Sequence, residues 1–582
     1  MFCRRNPTSM LAIALLALLL GSRAVADPIS IHIDGLTKEL ETAVRENLEL
    51  QQYVERDTHP TELRRLTERG DEEIRRALEP YGYYHAEVTS SLEQSNGGLR
   101  AEYRVRLGER VIVRNSRVTV TGPGGEQPAV RRAIESFAPA VGAPLDHGLY
   151  EDSKARITAA LQTRGYFDEQ LERHRVAVTR ATHSATIDLA WQSGDRYRIG
   201  SVRFSDAQFP DSFLQRYAPW DPNALYDIEE LLQLQQRLVD ADYFSTVSVQ
   251  PALEERADGH VPVNVLLIPA KRTIYSASAF VSTDAGPGVR LGIERRWLNR
   301  RGHKIGGQAE YSTRVEGYSA YYRIPRPAKQ SRLYSFAGGY RDEQTDSSRS
   351  RLARLSAIES IDDWHGYART LGLQYLNGDF TIADEQRSSG LLYAEANLGR
   401  KRANDLVFPS DGLSVSYTAR LAAEPLLSDT SLVQLRADAK WIGSLSERAR
   451  LILRTSVGAL QAANFNALPP ELRFFAGGDR SIRGFDYQQI GERNATGGVI
   501  GGRYLAVVSG EIEYYFLEKW GVAMFVDAGD AFSSRVNANV GTGLGLRWRS
   551  PVGIVRVDVG VPVATDLTDK GWRIHLMIGP DL

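Results

Sequence analysis

One arginine and three carboxylates stand out as residues whose types and spacing could act together. Arg483 sits in Gly477-Gly478-Asp479-Arg480-Ser481-Ile482-Arg483-Gly484-Phe485, within a glycine-rich stretch from about 465 to 503. That stretch is too long for a hairpin connection, and loops of this length are usually functional or disordered. Downstream, Ile512, Tyr514 and Phe516 alternate with Glu511 and Glu513, and Val522, Met524 and Val526 alternate with Phe525, Asp527 and Gly529. Strands place alternate residues on opposite faces, so the acids share a face opposite the apolar set. With a turn at Leu517–Trp520, Asp527 is expected opposite Glu511. Two carboxylates so close repel unless a cation joins them, and a guanidinium can hold a carboxylate bidentately. The chemistry on offer is a buried ion cluster that fastens the loop. The same acids could also be wetted charges lining a pore.

The elements that must position these residues are strands. From about Lys271, helical periodicity gives way to strict alternation broken by Gly, Asn, Asp and Pro turns. Leu544, Leu546 and Trp548 oppose Gly543, Gly545 and Arg547, and Val555, Val557, Val559 and Val561 oppose Arg556 and Asp558. Such a wall needs either a second sheet to cover it or lipid outside and a polar lumen within. Residues 273–582, at roughly 16–20 residues per strand with its turns, give 16 to 19 strands, and the even-number preference selects 16. Tight turns alternating with long loops are expected. Gly541-Thr542-Gly543-Leu544-Gly545 leads to no helix and reads as lumenal strand glycines, not as a phosphate loop.

Before this wall, residues 28–270 carry a weak threefold repeat. Each unit opens on a short strand, runs through helical sequence to an aromatic pair (Tyr83-Tyr84, Tyr166-Phe167, Tyr243-Phe244), and closes with two alternating strands. The order strand, helix, helix, strand, strand predicts three α+β modules at 28–107, 108–194 and 195–270, followed by the barrel at 271–582. Their sheet edges suit strand addition by a partner, although passive spacing fits the pattern too.

Arg4 and Arg5, an apolar run from Met10 to Leu20 and Ala24-Val25-Ala26 predict a signal peptide over residues 1–26, the run being too short to span a membrane. Its removal takes Arg4, Arg5 and Arg23 and shifts the net charge from −1 to −4. It also takes Cys3, the only cysteine, so thiol chemistry is excluded from the mature chain. With Lys plus Arg at 71 against Asp plus Glu at 72, no basic excess is available for nucleic acid. A mean hydropathy of −0.32 excludes a helical multi-span protein but not a barrel. Nucleotide, zinc-protease and serine-hydrolase signatures are absent and the ten histidines lack ligand spacing, so neither enzyme activity, cofactor nor metal is expected.

Ile482-Arg483-Gly484-Phe485 resembles the loop-six signature of the BamA superfamily of outer-membrane assembly and secretion barrels, and Phe525-Val526-Asp527-Ala528-Gly529 is similar to its F-x-D-x-G strand motif. Tyr322-Arg323-Ile324-Pro325, Phe408-Pro409-Ser410-Asp411-Gly412 and Ser550-Pro551-Val552-Gly553 also resemble family segments. The resemblance implies a loop arginine meeting the strand aspartate in the lumen, periplasmic POTRA modules and a barrel in the bacterial outer membrane. Three modules and the segment Ile578-Gly579-Pro580-Asp581-Leu582 resemble the TamA branch. That branch implies unfolded outer-membrane protein clients, autotransporters among them, contact with outer-membrane lipid and an inner-membrane-anchored TamB-like partner. The family mechanism implies a weak lateral seam between the first and last strands, here about Arg272–Thr283 and Gly571–Pro580, with Ala277, Gly571, Leu576, Gly579 and Pro580 marking it. Two other functions stay open: a two-partner-type pore exporting one dedicated substrate, and an end-point for TamB-linked phospholipid transport.

Overall fold

The computed structural model describes residues 29–581 apart from positions 55, 57, 96, 97, 283, 284, 329, 406, 552, 569 and 580. The expected signal peptide and Pro580 lie outside the described residues.

Three modules come first. The first runs β1 (Ser30–Asp34), α1 (Lys38–Asn47), α2 (Pro60–Leu78), β2 (Glu87–Ser95) and β3 (Gly98–Arg106). The second runs β4 (Ile112–Thr121), α3 (Pro128–Glu135), α4 (His147–Gln162), β5 (Gln170–Thr179) and β6 (Ser184–Gln192). The third runs β7 (Arg198–Ser205), α5 (Asp211–Leu214), α6 (Ile228–Asp240), β8 (Phe244–Pro251) and β9 (His260–Pro269). In each sheet the closing strand lies between the other two: β1-β3-β2, β4-β6-β5 and β7-β9-β8. In the first module α1 and α2 bury Leu40, Val44, Leu63, Leu66 and Ile74 against Ala101, Tyr103 and Val105 of β3. Alternation on β3 and helical spacing on α1 and α2 converge on one core.

The chain divides into two compact units, one comprising residues 1–201, 222–229 and 252–262, the other the rest. Within the first unit, the aromatic pairs mark joints between modules. Tyr84 hydrogen-bonds His147 at 2.8 Å, and Phe167 packs edge-on against Tyr226 with ring centroids 4.8 Å apart. Within the second unit, Tyr243 donates to the Gly302 carbonyl at 2.5 Å.

The second unit carries a 16-stranded antiparallel wall. Its strands are β10 (Thr273–Ser282), β11 (Gly286–Arg295), β12 (Lys304–Ser312), β13 (Val315–Arg326), β14 (Arg332–Gln344), β15 (Ser348–Trp364), β16 (Tyr367–Ile382) and β17 (Glu385–Ala403). They continue as β18 (Gly412–Ala422), β19 (Leu432–Ser446), β20 (Ala449–Ala462), β21 (Tyr504–Tyr515), β22 (Trp520–Phe532), β23 (Asn539–Ser550), β24 (Gly553–Ala564) and β25 (Arg573–Gly579). Every strand pairs with its neighbours in sequence. Val522, Met524, Val526, Leu544 and Leu546 point outward and are exposed, whereas Glu511, Glu513 and Asp527 point inward and are buried. Among the described residues no helix is long and apolar enough to cross a membrane.

One expectation needs correcting. Long loops do not alternate with tight turns; the wall itself lengthens instead. β15, β16 and β17 reach 17, 16 and 19 residues and are joined by the two-residue turns His365-Gly366 and Ala383-Asp384. All four turn residues have positive φ, the geometry that matches strand twist in a two-residue hairpin. Among the described residues only the β20–β21 connection, residues 463–503, is long.

Candidate functional site

That long connection packs apolar side chains against the inside of the barrel. Its Leu468, Leu472, Phe474, Ile482, Phe485 and Ile490 are buried in one cluster with Leu376, Leu391, Leu460 and Leu505 of the wall. Short bridges Phe474↔Gly502, Ala476↔Ile490 and Arg493↔Val499 shape it internally. Arg473 pins its base, donating to the carbonyls of Leu468, Ile500 and Asn466 at 2.8, 2.9 and 3.2 Å.

The tip carries Arg483, 1% exposed. Its Nε and Nη2 donate to the two oxygens of Asp527 at 2.8 and 3.0 Å, and its backbone N–H adds a third bond to the same carboxylate at 3.0 Å. Nη1 reaches Glu511 at 2.6 Å and Asp558 at 2.9 Å. The guanidinium carbon lies 3.6 Å from the centroid of the Phe525 ring, a cation–π contact in a desolvated place. Ser509 donates to Asp527 at 2.5 Å, completing its shell.

A second buried arginine shares these acids. Arg547 on β23 contacts Glu511 at 2.7 Å, Glu513 at 2.8 Å and Asp558 at 2.5 Å. Glu513 does not touch Arg483; its other oxygen receives Arg450 Nε at 2.7 Å. The cluster therefore alternates cation and anion across β20 to β24. In so dry a place, each charge is tolerable only while its neighbours stay in position.

Backbone shape makes room for the tip. A Cβ on Gly541 would stand 1.8 Å from the Arg483 carbonyl oxygen, and one on Gly560 would stand 2.6 Å from the Gly484 nitrogen. Gly484 has φ +94°, and its own Cβ would meet Val561 backbone at 2.9 Å. The glycine run of β23 is thus part of the seat of the loop. Gly529 lies outside the arginine's contacts; a Cβ there would be 2.2 Å from the Ala506 carbonyl oxygen.

The register of the β21–β22 hairpin differs from expectation. Asp527 lies opposite Ser509, and Phe525 lies opposite Glu511. The turn closes on Tyr515↔Gly521, a shift of two residues, so the faces are unchanged while the partners are not. Phe525 consequently comes level with Glu511, beneath the guanidinium that joins Glu511 to Asp527.

At the other end of the network stands the last strand. β10 and β25 approach within 8 Å, Cα to Cα, yet no ladder joins them among the described residues. Ala277 pairs with Leu291 on β11, and Leu576 pairs with Val557 on β24. Gly571 precedes β25 and does not belong to it, and Gly579 is its last residue. β25 has only seven residues against twelve in β24. It is held from inside: His575 contacts Asp479 at 2.7 Å, Arg573 contacts Asp486 at 2.9 Å, and Gly484 donates to His575 Nε2 at 2.8 Å. Just beyond it, Asp581 is ion-paired with Arg450 at 2.6 Å and with Arg556 and Lys440. Sequence reasoning read Arg547, Arg556 and Asp558 only as lumenal charges and did not find Arg450, Asp479, His575 or Asp581. The strand residues among them had one signal, a position opposite the outward apolar residues; Asp479 and Asp581 lie outside the strands and had none.

Residues 270–581 match the family model of the Omp85 superfamily domain. Residues 30–107 match the model of POTRA domain TamA domain 1, and residues 197–267 match a POTRA model described as a surface antigen variable number repeat. Outer membrane protein assembly factor BamA of Nitratidesulfovibrio vulgaris is 34% identical over 119 residues, which are 19% of this chain and 15% of that relative's length. The crystal structure of BamA from Haemophilus ducreyi lacking POTRA domains 1–3 superposes with a TM-score of 0.66 at 15% identity, covering 81% of this chain and 99% of that one. CdiB from Acinetobacter baumannii aligns at 15% identity and a TM-score of 0.46, covering 80% of this chain and 89% of that one. A barrel of 16 strands behind three α+β modules, matched by its family model over more than half its length, makes this chain a member of the Omp85 superfamily.

Proposed function

We propose that this protein is a TamA-type assembly factor, with POTRA modules in the periplasm and its barrel in the bacterial outer membrane. It receives unfolded outer-membrane protein clients, autotransporters among them, and works with a TamB-like partner anchored in the inner membrane. The match of the first module to the TamA domain 1 model supports this branch, as does the number of modules. The carrying observation is the unladdered approach of β10 and β25. Unpaired backbone groups facing lipid cost several kcal/mol each, so a client strand that pairs with either edge replaces bonds the barrel itself does not supply. Opening the seam is thereby coupled to cargo, with no catalytic residue and no cofactor.

A cysteine pair tests it. Ala277→Cys with Leu576→Cys, together with neighbouring registers because bridging needs Cα atoms within about 7 Å, would lock the seam on oxidation. Client insertion should stop while the barrel stays folded, and reduction should restore it. Full crosslinking with unchanged client insertion would refute the seam. A dedicated export pore fits less well, since the long loop and its ion network occupy the lumen beside β21–β25. The phospholipid end-point would use the same seam, and lipid transfer by the locked barrel would separate the two cargoes.

A further inference from the structure

Between the long connection and the wall lie two joined cavities of about 540 and 380 Å³. The first is bounded by the β14–β15 and β16–β17 turns, in which the lengthened strands end, and by loop residues 486–499. The second runs down inside the barrel beside Glu471 and Arg480 to Val507 of β21. Thr345, Ser348, Tyr487 and Gln488 line both and form the waist between them. Strands alternate up and down from β10, which directly follows the third module, so these turns lie at the end remote from the modules.

The charges of this cleft cancel. Its lining holds five acids, Glu343, Asp346, Asp384, Glu471 and Asp486, and five arginines, Arg349, Arg436, Arg473, Arg480 and Arg493. Most of them are engaged already. Arg349 grips Asp342 at 2.8 and 3.1 Å, and Arg436 grips Asp438 through two bonds of 2.8 Å. Glu343 holds Arg341 and Asp486 holds Arg573, each at 2.9 Å. What remains is hydrogen-bonding capacity. Among the described residues, Gln488 Oε1 and Glu471 Oε2 are buried without a hydrogen-bond partner, and a buried acceptor left unpaired is costly. The other oxygen of Glu471 accepts from Ser350 at 2.5 Å. Gln488 also holds left-handed backbone, φ +58°, a strain that clusters where a side chain must be presented to a ligand. Beside it the half-buried Tyr487 offers a ring at the waist.

We propose that this cleft binds a short neutral oligosaccharide of the cell surface. A sugar hydroxyl both donates and accepts, so it satisfies the orphaned oxygens of Gln488 and Glu471 while taking bonds from hydroxyls such as that of Ser348. The C–H face of a sugar ring suits the electron-rich face of Tyr487. Each cavity lies within the roughly 300–1,000 Å³ of ligand clefts. A cation would meet Arg436, Arg473 and Arg480, and an anion would meet the two orphaned oxygens. A peptide strand finds no edge, because the wall is laddered up to these turns through Gln344↔Arg349, Ser348↔Ile382 and Ile382↔Glu385. The site needs only the barrel and its loop; that it opens outside the cell rests on the orientation proposed above.

The test uses the full chain in detergent, read by saturation-transfer NMR. The probes are two preparations from the bacterium that encodes the chain: O-chain oligosaccharide freed from lipopolysaccharide by mild acid, and neutral fragments of exopolysaccharide. A neutral peptide of glycine, serine and asparagine serves as the third. Ring protons of at least one glycan should receive saturation, and the one that does names the source. Gln488→Gly removes the orphaned amide oxygen at a backbone conformation glycine adopts freely, and it should weaken glycan binding about tenfold. Transfer to neither glycan would leave the cleft to water and overturn the site. Unchanged affinity in Gln488→Gly, shown to be folded by its heat-modifiable gel mobility, would overturn it as well, and so would stronger transfer to the peptide. If the variant does not fold, photolabelling of the unaltered chain decides: the same glycans carrying a diazirine should label residues 486–489, and labelling elsewhere would overturn the proposal.

Discussion

His575 on the last strand and Gly484 at the loop tip fix each other's chemistry. A backbone N–H can only donate, so the 2.8 Å bond from Gly484 makes His575 Nε2 the acceptor, and the ring proton sits on Nδ1, facing Asp479 at 2.7 Å. One neutral imidazole thus ties the last strand to two points of the loop. His575→Phe should keep an aromatic ring on β25 while stranding the buried Gly484 N–H, at about 1–3 kcal/mol. Faster hydrogen exchange at Gly484 and along β25, with slower strands elsewhere unchanged, would display this.

Arg483→Ala and Asp527→Ala should both loosen the loop, seen as new protease cleavage between Phe465 and Arg503. The two are not equal. Arg483 serves three carboxylates, whereas Asp527 also has Ser509 and, at 3.7 Å, Arg454. Loss of the arginine leaves the larger uncompensated charge, about 3–5 kcal/mol, and Arg483→Ala should be cleaved faster. Since both remove the same contact, the double variant should be little worse than Arg483→Ala; additive rates would show that the pair is not coupled.

Gly541→Ala should mimic Arg483→Ala without altering any charge, because its Cβ would occupy the position of the Arg483 carbonyl. Gly317→Ala supplies the comparison: its nearest neighbour is 3.7 Å away, ordinary contact. Cleavage of the loop should rise in the first variant and stay at the wild-type level in the second.

Tyr103 gives the first module an alkaline limit. The side chain is fully buried, and its hydroxyl donates to the Thr67 carbonyl at 3.2 Å. Burial pushes its pKa well above that of a free tyrosine, and Asp71 and Glu73 add to the shift. The folded state therefore favours the neutral phenol. This contribution is complete below about pH 10, the unfolded value, and is lost as pH rises from there toward the folded value. Tyr103→Phe should cost about 1 kcal/mol at neutral pH and flatten the alkaline loss, measured as trypsin cleavage within residues 29–107 across a pH series.

Deleting the first module should leave barrel folding intact and abolish association with the proposed inner-membrane-anchored partner. Pull-down of that partner at full yield by the truncated protein would move docking to the later modules or the barrel.

The faces of the strands were legible because lipid and lumen demand opposite chemistry at alternate positions, and 310 residues of alternation set the strand number. The Arg483–Asp527 juxtaposition was legible through the resemblance of the loop and strand motifs; acids sharing one face fitted wetted pore-lining charges equally well. Partners set by register were not. A two-residue change in one turn moved Asp527 from Glu511 to Ser509. Arg450, His575 and Asp581 are far apart in sequence, and only closure of the wall brings β20, β24 and β25 around one space. The lengthened β15–β17 escaped notice because alternation alone does not mark where a strand ends and a loop begins.

The seat of Arg483 is assembled from β21, β22 and β24, and the glycines that receive its backbone belong to β23 and β24. None of these strands precedes the loop in the chain. During biogenesis the arginine consequently has nowhere to discharge until four later strands have paired, and a guanidinium is a poor thing to bury early. Loop insertion is therefore a late event, one that reports completion of the C-terminal half of the wall. A barrel stalled with its final hairpins unpaired would display the loop outside, where a protease or a quality-control factor could read it as unfinished.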